Sequence, residues 1–115
     1  PTRRSSDLLE QIAVKGISHI TGGGFYENIP RSIPSGLGAR IQRDCIHVLP
    51  IFDLIAREGD IAERDMFNTF NMGVGMSIIV AETDVQNALR ILEEQGEKPY
   101  VIGDIVRSEE AVMII

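Results

Sequence analysis

A chain of 115 residues that is 43% hydrophobic, with 17 acidic against 11 basic side chains and a formal charge of −6, has the size and composition of one globular domain with a core of its own. The acidic balance argues against a general nucleic-acid binder, which presents a basic face to phosphates, and the composition argues against disorder. Cys45 is the single cysteine and cannot form an internal disulfide, and no apolar run reaches transmembrane length, so a cytoplasmic protein without membrane or nucleic-acid partners is expected. The start, Pro1-Thr2-Arg3-Arg4, lacks a methionine and reads as the interior of a longer protein.

Ser6 is placed to cap a short helix over residues 7–12, with Leu8, Leu9 and Ile12 apolar and Gly16 as its stop. The chain then enters Gly22, Gly23 and Gly24 with no strand of adequate length before them. Phe25-Tyr26-Glu27-Asn28 can open a helix that Pro30 and Pro34 limit to a turn or two. Residues 37–43 alternate around Ala39 and Ile41 as a half-exposed strand does. Pro50 in a first turn, Phe52, Leu54 and Ile55 within it, and Gly59 at its end predict a helix. Asp60 and Glu63 have capping-box spacing for the next helix, whose apolar stripe is Met66, Phe67 and Phe70. Val74, Met76, Ile78 and Val80 alternate along a strand, and Ile79 marks it as a central one. Thr83 and Gln86 predict a capping box for a helix over 84–95, with Val85, Ala88, Leu89 and Leu92 on one face and Gly96 as its end. Two strands follow, at 100–106 and 111–115, expected to pair as a hairpin across Ser108, Glu109 and Glu110. The order predicts an α+β fold, a layered α/β sandwich with a mixed or antiparallel sheet and a partly ferredoxin-like order.

Three glycines in a row surrender backbone order, since each loses much freedom on folding and adds no side chain to the core. TGGGF lacks the G-x-G-x-x-G spacing of a dinucleotide site, yet a row of N–H groups beside a helical turn suits a phosphate or a carboxylate. Thr21, Asn28 and Arg31 can donate to such an anion, Arg31 in bidentate fashion. The alternative is a tight corner, with these side chains capping the turn and pairing with Glu27. In the second unusual stretch, TFNMGVGM, Gly73 and Gly75 lie two apart and would clear one face of a strand, while Asn71 also suits a helix C-cap followed by a bulge. His19, His47 and Cys45 do not make a zinc-ligand set, and no metal site is expected. His19 could serve an acid–base role, although a lone histidine is more often a hydrogen-bonded structural residue; Cys45 reads as a small apolar filler and the four methionines as core.

HITGGGFYENIPR and TFNMGVGM together resemble the C-terminal half of the phosphoribosylformylglycinamidine cyclo-ligase, or aminoimidazole ribonucleotide synthetase, family. Pro1-Thr2-Arg3 is similar to that family's interdomain stretch, Val14-Lys15-Gly16 fits before the histidine motif, and Tyr100-Val101-Ile102-Gly103 falls where the family has its late strand; residues 4–11 depart from the family's usual helix. Selenophosphate synthetase, thiamine-monophosphate kinase and a hydrogenase-maturation protein share the two-domain architecture but not this pair of motifs. The resemblance implies the C-terminal domain of a two-domain enzyme of purine biosynthesis, homodimeric at full length. ATP phosphorylates the formyl oxygen of the substrate amide, a nitrogen attacks the activated carbon to close the imidazole ring, and ADP and phosphate leave. ATP and magnesium would be bound mainly by an N-terminal half absent here, so the 115 residues alone would be inactive. This chain would supply the substrate side of a shared cleft, where Thr21, Gly22, Gly23, Gly24, Asn28 and Arg31 meet the phosphorylated substrate, with Asn71, Gly73 and Gly75 as the second stretch. Two other readings fit the residues: a non-catalytic interaction module, and a domain of a related ATP-dependent synthetase.

Overall fold

A computed structural model of the chain describes residues 12–115. The helix predicted over residues 7–12 lies outside the described residues except at Ile12. Its predicted stop, Gly16, falls inside a strand, β1 (Val14–His19), so a strand does precede the glycines. The glycines lead into α1 (Gly24–Asn28), which a 3₁₀ turn over Ile29–Ser32 continues. Then come β2 (Leu37–Ile41), α2 (Pro50–Glu58), α3 (Glu63–Phe67), β3 (Met76–Val80), α4 (Val85–Glu94), β4 (Gly103–Arg107) and β5 (Val112–Ile114). The class is α+β, as expected, with β1 and β3 in a two-stranded sheet and the other strands in a mixed sheet ordered β4-β2-β5. Among the described residues no helix is long and apolar enough to cross a membrane.

The chain divides into two compact units. One comprises, as far as the described residues go, residues 12–17 and Ile78–Val101. Here α4 buries Ala88 and Ile91 with Ile12, and half-buried Val14, Ile78, Val80 and Leu92 pack around them. The helix is amphipathic as predicted, but the Thr83–Gln86 capping box does not form. Glu82–Asp84 make a 3₁₀ turn instead, and Asp84 is a helical N-cap without a side-chain bond. The predicted end at Gly96 holds: the Gly96 N–H donates to the Glu93 carbonyl and that of Glu97 to the Leu92 carbonyl.

The second unit comprises Ser18–Ser77 and Ile102–Ile115. Its core joins Phe25 and Ile29, Ala39 and Ile41 of β2, Met66 and Phe67 of α3, Met72 and Val112. The rings of Phe25 and Phe67 meet edge to face, 5.0 Å between centroids. The opposite face of β2 is wet, and there Arg40 faces Asp104 across the β2–β4 pair and forms a two-pronged ion pair with it. That hydrogen bond, and then the charge of Asp104, raise the Arg40 pKa above its ordinary value. At α3 the Asp60–Glu63 capping box is also absent: Ala62 is the N-cap residue, while Asp60 takes a left-handed conformation with φ 50°. Cys45 is exposed rather than an apolar filler, and of the methionines Met66 and Met72 are fully buried while Met76 and Met113 are half-buried.

The expected hairpin of the last two strands does not form either. β2 lies between them, antiparallel to β4 with Ala39 opposite Ile105, and parallel to β5 with Ala39 opposite Val112. The connection over residues 108–111 crosses β2 at Gly38, where a Cβ would strike the Glu110 carbonyl and come within 3.0 Å of the Ser108 Cβ. The crossing is held by bonds from the Ser108 N–H to the Gly36 carbonyl and from the Ala39 N–H to the Ala111 carbonyl. Gly38→Ala is therefore expected to destabilise the protein by about 1–3 kcal/mol in urea unfolding, because backbone cannot yield cheaply to an added methyl. Gly75→Ala, at a position with open space and no positive φ, is expected to change stability by less than about 0.5 kcal/mol.

Candidate functional site

The second unit turns at the end of β1. Ser18 and Ile20 are buried, whereas Thr21 and Gly22 are exposed, so the chain surfaces there. Gly23 (φ 95°) and Gly24 (φ 63°) turn it into α1 in conformations that side chains disfavour. The turn is closed by the Gly24 N–H, which donates to the Thr21 carbonyl at 2.9 Å. Gly24 is also buried against the end of α3: a Cβ there would collide with the Phe67 carbonyl oxygen and lie 2.8 Å from that of Phe70.

Asn28 ties the corner from inside. It is 2% exposed, and its Nδ2 lies 3.2 Å from the Thr21 carbonyl, 3.3 Å from that of Gly22 and 2.8 Å from that of Gly24. Thr21 Oγ1 donates back to Asn28 Oδ1 at 3.4 Å. The side-chain amide is thus engaged by the loop itself, as the tight-corner reading foresaw. Among the described residues the Gly22 and Gly23 amides enter no hydrogen bond, so the open donors of the triplet are two rather than three.

The two glycine-rich stretches meet. The Ile20 N–H donates to the Gly75 carbonyl at 3.0 Å, and Gly24 rests on the segment that leads into Asn71. Neither Gly73 nor Gly75 is in a strand, since β3 begins at Met76, so they do not clear a strand face. Asn71 is not a helix cap, because α3 ends at Phe67 with Asn68 as its C-cap. Asn71 Oδ1 accepts from the Gly73 N–H at 2.9 Å in a side-chain turn, with Met72 at φ 56°. Gly73 lies against Leu49 and the His47 carbonyl, whereas Gly75 is exposed beside open space.

Arg31 stands apart from this cluster. It is exposed on the 3₁₀ turn, and among the described residues it pairs with neither Glu27 nor any other carboxylate. Glu27 lies elsewhere: its carboxylate sits over Gly23, where a Cβ would strike Oε2. Sequence reading assigned Glu27 only as a partner for Arg31, although its i+4 spacing from Gly23 at the start of a helix was a signal for this contact. β1 was missed as well, because Gly16 interrupts a short and weakly alternating run.

These features define an α+β domain that offers two backbone donors, unpaired among the described residues, on a corner braced from behind by buried Asn28. The chain belongs to the family described as AIR synthase related protein, C-terminal domain, whose model matches residues 3–115. It is 50% identical over 107 residues to a phosphoribosylformylglycinamidine cyclo-ligase of Caldicellulosiruptor saccharolyticus, covering 93% of this chain and 31% of the relative. A protein of the same name from Thermoanaerobacter pseudethanolicus is 49% identical over 111 residues, 96% of this chain and 33% of the relative. One from Bacillus cytotoxicus is 52% identical over 101 residues, 88% of this chain and 29% of the relative. The chain spans about a third of the length of these curated relatives.

Asn28→Ala would remove the two N–H donors that the Thr21, Gly22 and Gly24 carbonyls share, and an expected loss of about 1–3 kcal/mol in urea unfolding follows. Asn28→Asp replaces that donor with a carboxylate facing carbonyl oxygens. It should lose at least as much at pH 7, and equal stability to the unsubstituted protein would show that the brace carries no energy.

Proposed function

We propose that this chain is the C-terminal, substrate-side domain, over residues 1–115, of an ATP-dependent cyclo-ligase that closes the imidazole ring of formylglycinamidine ribonucleotide to give aminoimidazole ribonucleotide. The observation that carries this reading is identity near one half, over 88–96% of the chain, to proteins named phosphoribosylformylglycinamidine cyclo-ligase. The braced corner supports it physically, because fixed N–H donors hold an anion without having to be ordered when it arrives.

In this reading Gly22 and Gly23 donate their backbone amides to an anionic group of the substrate, and Thr21 lies beside them. The substrate displaces the Glu27 carboxylate from Gly23, since two negative groups cannot share so small a space without a cation. Arg31 supplies the positive charge, with no ion-pair partner among the described residues. Gly24 and Asn28 position the loop rather than touch the substrate, and Asn71, Gly73 and Gly75 form the neighbouring wall.

ATP, with magnesium, supplies the phosphoryl group that turns the amide oxygen into a leaving group. Among the described residues no three His, Cys, Asp or Glu side chains converge to hold a metal ion, so no step at magnesium is assigned to them. The N-terminal companion half is the place for both in this proposal, and the complete protein is read as a cytoplasmic homodimer without membrane or nucleic-acid partners.

The test uses the intact polypeptide. Arg31→Ala is expected to lower kcat/KM for ring closure at least tenfold while leaving the melting temperature within about 1 °C, because an exposed and unpaired side chain adds little to folding. An unchanged kcat/KM would remove Arg31 from the site. Ring closure by the 115 residues alone would contradict the division of labour between the halves.

A further inference from the structure

We propose that the outward side of α2 formed with Leu49, Ile51 and Leu54 is the docking surface for the companion part of the same polypeptide, the two-thirds of the relatives' length that this chain does not span. The inference rests on the reading above, that such a companion exists.

The helix is unusual within its own unit. α1 and α3 each bury residues fully, whereas α2 buries none. Its inward side, Phe52, Ile55 and Ala56, is half-buried against the core, so the helix is seated. Yet Leu49 and Ile51 remain 51% exposed and Leu54 42%, three of the five large hydrophobic residues exposed among those described. Ile51 and Leu54 are one turn apart and share a face, with Asp53, Arg57 and Glu58 exposed around them. An apolar centre with a polar rim is the anatomy of an interface.

Two observations favour the companion as occupant over a second copy of this chain. Three half-exposed side chains offer far less than the roughly 800 Å² per partner that a free complex of standard size buries. A tethered domain needs less, because its linker holds it at an effective concentration on the order of millimolar. The patch is also continuous with the stretch from Asn71 to Gly75. Leu49 Cγ lies 3.0 Å from where a Gly73 Cβ would be, and the Leu49 N–H donates to the Met72 carbonyl at 3.3 Å. A domain seated on this side of α2 therefore brings its own residues next to the stretch from Asn71 to Gly75.

The experiment is hydroxyl-radical footprinting with mass spectrometry on the intact, unsubstituted polypeptide, comparing oxidation of Leu49, Ile51 and Leu54 with the same residues in its proteolytic digest. Docking predicts at least tenfold slower oxidation, at a level that does not change with protein concentration. Slowing of only about twofold, as their half exposure alone predicts, would overturn the proposal. Protection that appears only as concentration rises would also overturn it, in favour of a second copy. Ring-closing activity measured on the same sample separates the two readings: activity with an unprotected patch sinks this inference alone, and a protected patch without activity sinks the enzymatic reading alone.

Discussion

The approach of Gly24 to the end of α3 is the constraint on which the rest of the site depends. With no Cβ at Gly24, the backbone at the start of α1 rests against the Phe67 and Phe70 carbonyls, and Phe25 meets the edge of Phe67 in the core directly behind. A side chain at that position would push the two segments apart. The Ile20–Gly75 bond and the Asn28 brace surround that contact, with Gly22 exposed and Gly23 half-buried beneath the Glu27 carboxylate. The conformational freedom surrendered by three glycines is offset by burial of Phe25, Ile29, Met66 and Phe67 around the corner.

The triplet also divides its duties. Gly24 serves packing, Gly23 serves the turn, and Gly22 has neither a close neighbour nor a positive φ. Asn28 belongs with Gly24, because a buried amide held by loop carbonyls fixes geometry and has nothing left to offer a ligand. Thr21, Gly22 and Arg31 are exposed and Gly23 is half-buried; among the described residues the Gly22 and Gly23 amides and the Arg31 guanidinium have no partner, whereas the Thr21 hydroxyl is engaged by Asn28. A row of donor residues in sequence thus separates into a supporting layer and a presenting layer, and only the second is suited to contact a substrate.

Much of this was legible before the structure, where the signals were local. Pro50 and Gly59 bracket α2, the apolar face of α4 and its stop at Gly96 hold, and the short helix ahead of Pro30 appears as read. What escaped were features set by distant contacts. The last two strands are close in sequence and suggest a hairpin, but β2 separates them because Gly38 lets the connection cross over it. Both capping boxes had the right spacing, yet the chain enters α3 through Ala62 and α4 through a 3₁₀ turn, and neither leaves a side-chain oxygen over the helix end. The meeting of the two glycine stretches depends on β1 and β3, of which the first, with Gly16 inside it, was not recognisable as a strand.

In the proposed enzyme the backbone amides of Gly22 and Gly23, on the corner braced by Asn28, receive the negatively charged part of the substrate as it displaces Glu27 from Gly23. The most direct measurement is the chemical-shift response of individual backbone amides in the intact protein as formylglycinamidine ribonucleotide is added to saturation. This placement predicts large shifts at Gly22 and Gly23 and a small one at Gly24, whose N–H already donates to the Thr21 carbonyl. Saturation that leaves Gly22 and Gly23 unmoved while amides elsewhere respond would contradict it.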